Sequence, residues 1–463
     1  MDKNVSSPLA TAPIGKLMLK MALPAVVAQL VSLLYSIVDR IYIGHIENAG
    51  ANALTGVGLC LPLIIMLNAF ALLAAAGGAP RAAIALGQGN KHEAQRILGN
   101  CTAMLLLFSA VLTFLLLLFA RPLLSLIGAS RDTLPYAMSY MQIYACGTIF
   151  VLVVLGLNSF LTAQGFSGFA MITTLLGAVI NIILDPILIF TLDMGVRGAA
   201  IATVLSQFVS AAWVLWFLCR GKRTILRLRL SDMRLQWKVA GPCLALGVSA
   251  FVMMATESIL SICFNASLQR YGGDIAVGSM TILASCSQLA LLPTTGICQG
   301  CQSIISFNFG AGNTQRVKAC FRRVLLLCGG YSTLFCAVSL LFPGVFVRIF
   351  NSDPVLVEHT VWSLRVYMAG MFAMGIQIAC QQCFMALGQA KVSLLLACLR
   401  KLILLIPLIF CLPLFFADRV FAVFLAEPIS DVVAATVTVS VFSARFSNIL
   451  KAGPAQIGKE KEC

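Results

Sequence analysis

The chain is built from apolar runs of about twenty residues or more, separated by short stretches of Gly, Pro and charge. About 20 such residues are what an α-helix needs to cross the hydrocarbon core of a bilayer. Cys101 to Ala120, Leu134 to Leu157 and Ala199 to Leu218 are three of these runs. Reading the whole chain against its Gly, Pro and charge breaks predicts helices near 15–43, 52–80, 94–120, 134–160, 168–190, 197–219, 239–269, 276–306, 319–345, 356–386, 391–416 and 419–445. Only 11% of the residues are charged and 60% are hydrophobic, whereas a soluble domain carries about 25% charged residues. The expected fold class is an all-α membrane protein with twelve transmembrane helices.

Charge outside the spans bears on orientation. The net charge of +15 does not signal nucleic acid, because the basic residues sit in short stretches between apolar runs, where they set topology and meet anionic headgroups. The most basic stretch, RGKRTILRLRLSDMRLQWK at 220–238, lies between the sixth and seventh spans and is expected in the cytoplasm. An even number of spans then puts both termini on that side of the cell (inner or plasma) membrane. The first apolar run is too long and too poorly ended for a cleaved signal peptide, so it is expected to remain as the first helix.

The chain also repeats. ALGQGNKHEAQR at 85–96 resembles NFGAGNTQRVKA at 308–319, with Gly87, Gly89 and Asn90 matched by Gly310, Gly312 and Asn313 at a shift of 223. The same shift pairs Tyr144 with Tyr367, Gly147 with Gly370, and Gly165 of FLTAQG with Gly388 of CFMALG. A shift that spans six helices returns the chain to the same face of the membrane, so the halves are expected as parallel repeats about an axis along the membrane normal. The expected organisation is an N-terminal six-helix lobe at 1–219, a basic cytoplasmic linker at 220–238, a C-terminal lobe at 239–445 and a cytoplasmic tail at 446–463.

Several chemistries are set aside. G-x-G-N follows no strand and lacks the Lys-Ser/Thr of a P-loop, so it reads as a tight turn whose glycines supply positive φ. No nucleotide-binding segment is found, which points to an ion gradient as the energy source. The 17 cysteines are scattered through apolar runs, where free Cys behaves as a small hydrophobe. The C-x-x-C pairs Cys298/Cys301 and Cys380/Cys383 have no His or basic neighbour to make a thiolate. The three His, at 45, 92 and 359, are too dispersed for a metal or a nucleophile-base pair. The chain is not expected to be an enzyme, and no cofactor is expected beyond Na+ or H+ as a coupling ion.

Carboxylates inside the spans are the informative residues. An ionised Asp at mid-bilayer costs about 2.5–3.5 kcal/mol on insertion scales, so such a residue marks function by default. Asp39 stands in VDRIYIGHI near the outer end of the first span; it suits either an ion site or an interfacial pair with Arg40. Asn181 and Asp185 of NIILDPILIF are four apart on one face of the fifth span, beside Pro186. Glu257 lies deep in the seventh span, in MMATESIL, as a substrate contact or a structural acid. The shift of 223 places Asp39 on Ile262, Asn181 on Leu404 and Asp185 on Leu408. The scaffold is duplicated and this acidic set is not, so the ion site is expected in the N-terminal half alone.

With these residues in view, the sequence resembles the multidrug and toxic compound extrusion (MATE) antiporters of the multidrug/oligosaccharidyl-lipid/polysaccharide flippase superfamily. The resemblance rests on Ala22 to Pro24, on VDRIYIGHI, on NIILDPILIF followed by GVRGAAIATVLSQ, and on the Ala426-Glu427-Pro428-Ile429-Ser430 segment. It implies two six-helix lobes around a central cavity, alternating access, and export of organic cations in exchange for Na+ or H+. It carries the cation-coupling site onto Asp39, Asn158, Asn181, Asp185 and Thr203, and the seventh-helix acid of some branches onto Glu257. Pro24 is a candidate bend point in the first helix, since proline removes one helical hydrogen bond. Tyr35, Met66, Tyr144 and Met171 are candidate lining for an adaptable cavity. The expected partners are small organic cations and the lipid bilayer, with the protein working as a monomer. A flippase or exporter of one lipid-linked or metabolite substrate is the alternative. It would call for a cationic cavity, whereas the intramembrane groups of the N-terminal half are acidic.

Overall fold

The computed structural model describes residues 8–46, 50–221, 224–350 and 354–453; the tail beyond Gly453 lies outside them. Twelve of the described helices are long and apolar enough to cross a membrane. They are α1 (Ile14–Gly44), α2 (Asn52–Gly87), α3 (Lys91–Ile127), α4 (Leu134–Ala163), α5 (Ser167–Thr191), α6 (Gly195–Arg220), α7 (Trp237–Gly273), α8 (Ile275–Gly310), α9 (Thr314–Leu341), α10 (Pro354–Ala386), α11 (Ala390–Leu414) and α12 (Arg419–Ala452). Each expected span is recovered. The ninth ends early: α9 stops at Leu341 because Pro343 has no N–H to continue the ladder, and a separate short helix, Pro343–Phe350, follows.

The repeat holds at the level of single hydrogen bonds. At the end of α2 the N–H of Asn90 donates to Ala85 O at 2.9 Å, and at the end of α8 that of Asn313 donates to Asn308 O at 2.9 Å. Gly89 and Gly312 take φ of 76° and 74° in these turns. That left-handed conformation is nearly free for glycine and costly for other residues. The turns after α4 and α10 match in the same way, with Gly165 and Gly388 at φ 92° and 74°. The repeat also fixes which helix is central. α4 and α10, equivalent under the shift, are the most buried spans of their units.

Close packing divides the chain into two units. One runs from Leu19 to Phe251, and the other contains Val252 onward together with the residues up to Met18. The boundary therefore falls inside α7, past the 220–238 stretch expected as the linker. Glycine explains why the start of α7 stays with the first unit. A Cβ on Gly77 of α2 would collide with the Cys243 carbonyl, and one on Gly247 of α7 with the Leu73 carbonyl. Only two glycines let these backbones approach so closely. The basic segment is pinned to the same unit: Gln164 Oε1 accepts from Thr224 Oγ1 at 3.0 Å and from the N–H groups of Ile225 and Leu226 at 2.9 and 2.8 Å. Asn100 Oδ1 accepts from the Gln236 N–H at 2.6 Å.

The second unit holds the start of the chain by an equivalent device. A short helix, Pro8–Thr11, buries Leu9. Asn308 Nδ2 donates to Leu9 O at 3.0 Å, and Arg316 Nη2 donates to Ala12 O at 2.7 Å. Neither C-x-x-C pair is a unit of its own. Cys298 Sγ lies 3.8 Å from Cys328 Sγ of α9, and every cysteine among the described residues is free.

The α2–α7 contact yields a stability test. Gly77→Val and Gly247→Val each force one backbone away from another, and overpacking of this kind costs about 1–3 kcal/mol. Gly168→Ala, with open space at its Cβ, is the control. Thermal unfolding of the detergent-purified proteins should show lower midpoints for the two valine variants and an unchanged one for the control; equal midpoints throughout would remove the contact from the account.

Candidate functional site

The fifth span is irregular where its polar residues lie. It is α-helical from Ser167 to Pro186 and then opens into a π-helical turn, Ile187–Thr191. Proline accounts for the change: Pro186 gives no N–H to the preceding turn, and the wider turn absorbs the break. Asn181 and Asp185, one turn apart on the same face, are 1% and 0% exposed. Asn181 Nδ2 donates to Asp185 Oδ1 at 3.2 Å and lies 3.5 Å from Thr203 Oγ1 of α6. The Asp39 carboxyl of α1 meets the Asp185 carboxyl. Four of the five residues expected at a cation site, Asp39, Asn181, Asp185 and Thr203, thus form one cluster in the first unit. Asp39 makes no salt bridge with Arg40 among the described residues, where the ion pairs are elsewhere.

The cluster is rich in acceptors and poor in donors. Asp39 Oδ1, Asn181 Oδ1 and Asp185 Oδ2 are buried without a hydrogen-bond partner, and so is Asn158 Oδ1 of α4. A buried acceptor left unpaired costs about 1–3 kcal/mol. A hard cation coordinates several such oxygens at once, while a proton on one carboxyl oxygen turns it into a donor for another, and neither brings an acceptor of its own. No hydrogen bond among the described residues ties the Asn158 amide to the other four. Its backbone carbonyl accepts from Thr162 Oγ1 at 3.2 Å.

Tyrosines wall the acids. Tyr35, one turn before Asp39 on α1, is close enough to feel both Asp39 and Asp185. Tyr144 is buried and stacks on Tyr140, with ring centroids 5.9 Å apart and planes 17° from parallel. Tyr140 itself reaches Thr203 and lies near Asp39, a place that sequence reasoning did not assign to it. The signal was present, because Tyr136, Tyr140 and Tyr144 recur every four residues and so share a face of α4. Met66 is 38% exposed and Met171 half-buried. Pro24 lies inside α1, which remains helical from Ile14 to Gly44.

Glu257 is in the second unit and is not alone there. Lys401 of α11 donates to its carboxylate and also to Met253 O, at 2.7 Å in the latter case. The side chain of Glu257 is 65% exposed while that of Lys401 is 8% exposed. Arg400, Glu427 and Asp431 form a further buried ionic group beside them. The partner of Glu257 is a lysine from the eleventh span, which sequence reasoning did not pair with it.

Known proteins of the same design exist. The family model described as MatE matches residues 24–187 and again 249–411, in keeping with the internal repeat. The chain is 27% identical over 399 residues to the multidrug export protein MepA of Staphylococcus haemolyticus (strain JCSC1435), covering 86% of this chain and 87% of that protein. It is 25% identical over 400 residues to MepA of Staphylococcus aureus (strain NCTC 8325 / PS 47), with the same coverage. The fold resembles the crystal structure of MATE in the bent conformation, with a TM-score of 0.89 and 22% identity over 95% of this chain and 97% of that one. It equally resembles a MOP superfamily transporter from Pyrococcus furiosus described as having a binding pocket of reverse polarity, with a TM-score of 0.90 and 21% identity over 97% and 99% of the two chains. A family model that falls once on each half and spans most of the length makes this protein a member of the MatE family, a multi-pass membrane transporter and not an enzyme.

Proposed function

We propose that the protein is a multidrug efflux transporter of the cell membrane, which exports organic cations in exchange for Na+ or H+ by alternating access, with both termini in the cytoplasm. The observation that carries this reading is the cluster of unpaired buried oxygens on Asp39, Asn181 and Asp185. Among the described residues its two carboxyl groups have no buried cation of the protein paired with them, which favours a charge supplied from outside. A proton or Na+ bound there, with Asn158 and Thr203 as neutral oxygens, removes the negative charge that favours a cationic drug. One charge cannot serve both ligands, and that competition is the exchange. Tyr35, Tyr140 and Tyr144 offer π-faces beside the acids for a delocalised cation. Met66 and Met171 extend the substrate path within the first unit, Glu257 is a substrate contact within the second, and Pro24 is where α1 bends between two shapes. The likeness to the MepA multidrug exporters supports the substrate breadth. The protein works as a monomer.

An exporter of one anionic, lipid-linked substrate is the second reading, and Arg400 and Lys401 are the observation in its favour. Both are already bound to carboxylates of their own unit, which leaves little positive charge for a phosphate.

Vesicle transport decides between them. Ethidium export driven by an imposed pH or Na+ gradient is expected for the wild type and should fall to background in Asp185→Asn and in Asp39→Asn at equal protein levels. Export unaffected in both variants would make these carboxyl groups structural, and no export by the wild type under any gradient would turn the choice to the specific-substrate reading. Na+ binding can be read separately. If Na+ is the coupling ion, a hundredfold excess over its Kd stabilises the folded protein by about 2.7 kcal/mol, so the thermal midpoint should rise with Na+ in the wild type and stay flat in Asp185→Asn. A midpoint indifferent to Na+ in both would leave the proton as the coupling ion.

A further inference from the structure

The second unit buries more charge than its scaffold needs. Arg400 and Lys401 stand on a π-helical stretch of α11, Leu399–Leu405, and leave the helix in different directions. Arg400 turns to α12, where its Nε donates to Asp431 Oδ1 at 2.8 Å and its Nη2 to Glu427 Oε1 at 2.8 Å. Lys401 turns to α7 and Glu257. Glu427 and Asp431 are one turn apart, so a single guanidinium spans both. Their surroundings are dry: Glu427 is 9% and Asp431 3% exposed. Gly370 helps to close the site, since its missing side chain lets the backbone before α10's second half approach Pro428 Cα and Asp431 Cβ. Ser430 Oγ donates to Arg400 O at 3.0 Å and ties the two spans together.

The charges in this group do not balance. Glu257, Glu427 and Asp431 are three acids, Arg400 and Lys401 are two bases, and the remaining titratable neighbour, Tyr367 of α10, is neutral. With every acid ionised the group keeps one uncompensated negative charge within the membrane spans, a state that burial penalises heavily. The oxygens of Glu427 and Asp431 that face Arg400 are already occupied by N–H donors, so a hard metal cation, which needs several free oxygens, fits poorly there. A proton fits. We infer that Glu427 and Asp431 form a second proton-binding site, distinct from the acids of the first unit, in which the two carboxyl groups share the Arg400 guanidinium and hold one proton between them. Glu257 is the water-facing end of the same group: a carboxylate 65% exposed within a span belongs beside water rather than lipid. The inference does not depend on Asp39 or Asp185 carrying a coupling ion.

Infrared spectroscopy of the full-length purified protein at neutral pH tests it, through the C=O stretch that only a protonated carboxyl shows. Wild-type-minus-variant spectra are expected to lose one and the same band in Glu427→Gln and in Asp431→Asn, because either substitution leaves a single carboxylate matched to Arg400. Glu257→Gln, at the exposed end where folding is least at risk, should lose that band too, since it leaves two acids against two bases. No carboxyl band lost in any of the three would overturn the site. So would two different bands, one per α12 variant, because each acid would then hold its own proton. The same measurement on Asp185→Asn reports on the first unit independently.

Discussion

A carboxyl group inside the hydrocarbon layer has to be matched by a proton, a cation or a set of donors, and the two halves of this protein meet that demand in opposite ways. In the first unit, Asp39 and Asp185 face each other with an amide and a hydroxyl for company, and several of the oxygens are left without donors. In the second unit, three acids are held by a guanidinium and an ammonium supplied from the neighbouring helix. The first arrangement depends on something from outside the chain and the second nearly does without it. That contrast, on a duplicated backbone, leaves one half open to a ligand and the other largely self-neutralised.

Duplication is kept where the backbone demands it and lost where chemistry resides. The paired turns after α2 and α8 reproduce the same hydrogen bonds and the same left-handed glycines. Any side chain there would raise the cost of the turn, so the constraint acts on both copies alike. The interiors of α5 and α11 face no such constraint. Both contain π-helical segments, but Asn181 and Asp185 of α5 correspond to Leu404 and Leu408 of α11, whose own charges come at 400 and 401. A π-turn re-aims the side chains around it, and each half uses that freedom for a different charge.

Much of this was legible in the sequence, for identifiable reasons. Span positions follow from apolar length, which is the dominant energy in a bilayer, and every span was recovered, although α2, α3 and α12 each run seven residues past the expected end and Pro343 stops α9 early. The i,i+4 pair Asn181/Asp185 was legible because spacing alone places both on one face. What stayed hidden depends on contacts between distant segments. The unit boundary inside α7 is set by Gly77 and Gly247 meeting backbone on another helix, and no composition shift marks it. The link from Glu257 to Lys401 joins residues 144 apart in sequence, and its register is set by the π-helical stretch of α11. Glu427 was visible only as part of a motif, and Asp431 not at all, since a guanidinium contributed by the preceding span gives them their meaning.

The placement of Asn181 shows how a neutral residue can govern an acidic site. Its amide nitrogen is committed to Asp185 Oδ1, with the Thr203 hydroxyl within reach, so its own oxygen points away from those two acceptors and is left with the unpaired carboxyl oxygens. One side chain therefore holds Asp185 in position and adds an acceptor to the same cluster. A leucine of similar size, as at the equivalent position 404, would release Asp185 from its donor and remove that oxygen together. For an exchange site this economy has a consequence. In the exchange proposed above, a proton bound at Asp185 would make the carboxyl a donor, able to satisfy an oxygen that was unpaired before. The cost of the unloaded state and the stabilisation of the loaded one then reside in the same few atoms, which is the condition for a small change of charge to bias a large conformational equilibrium.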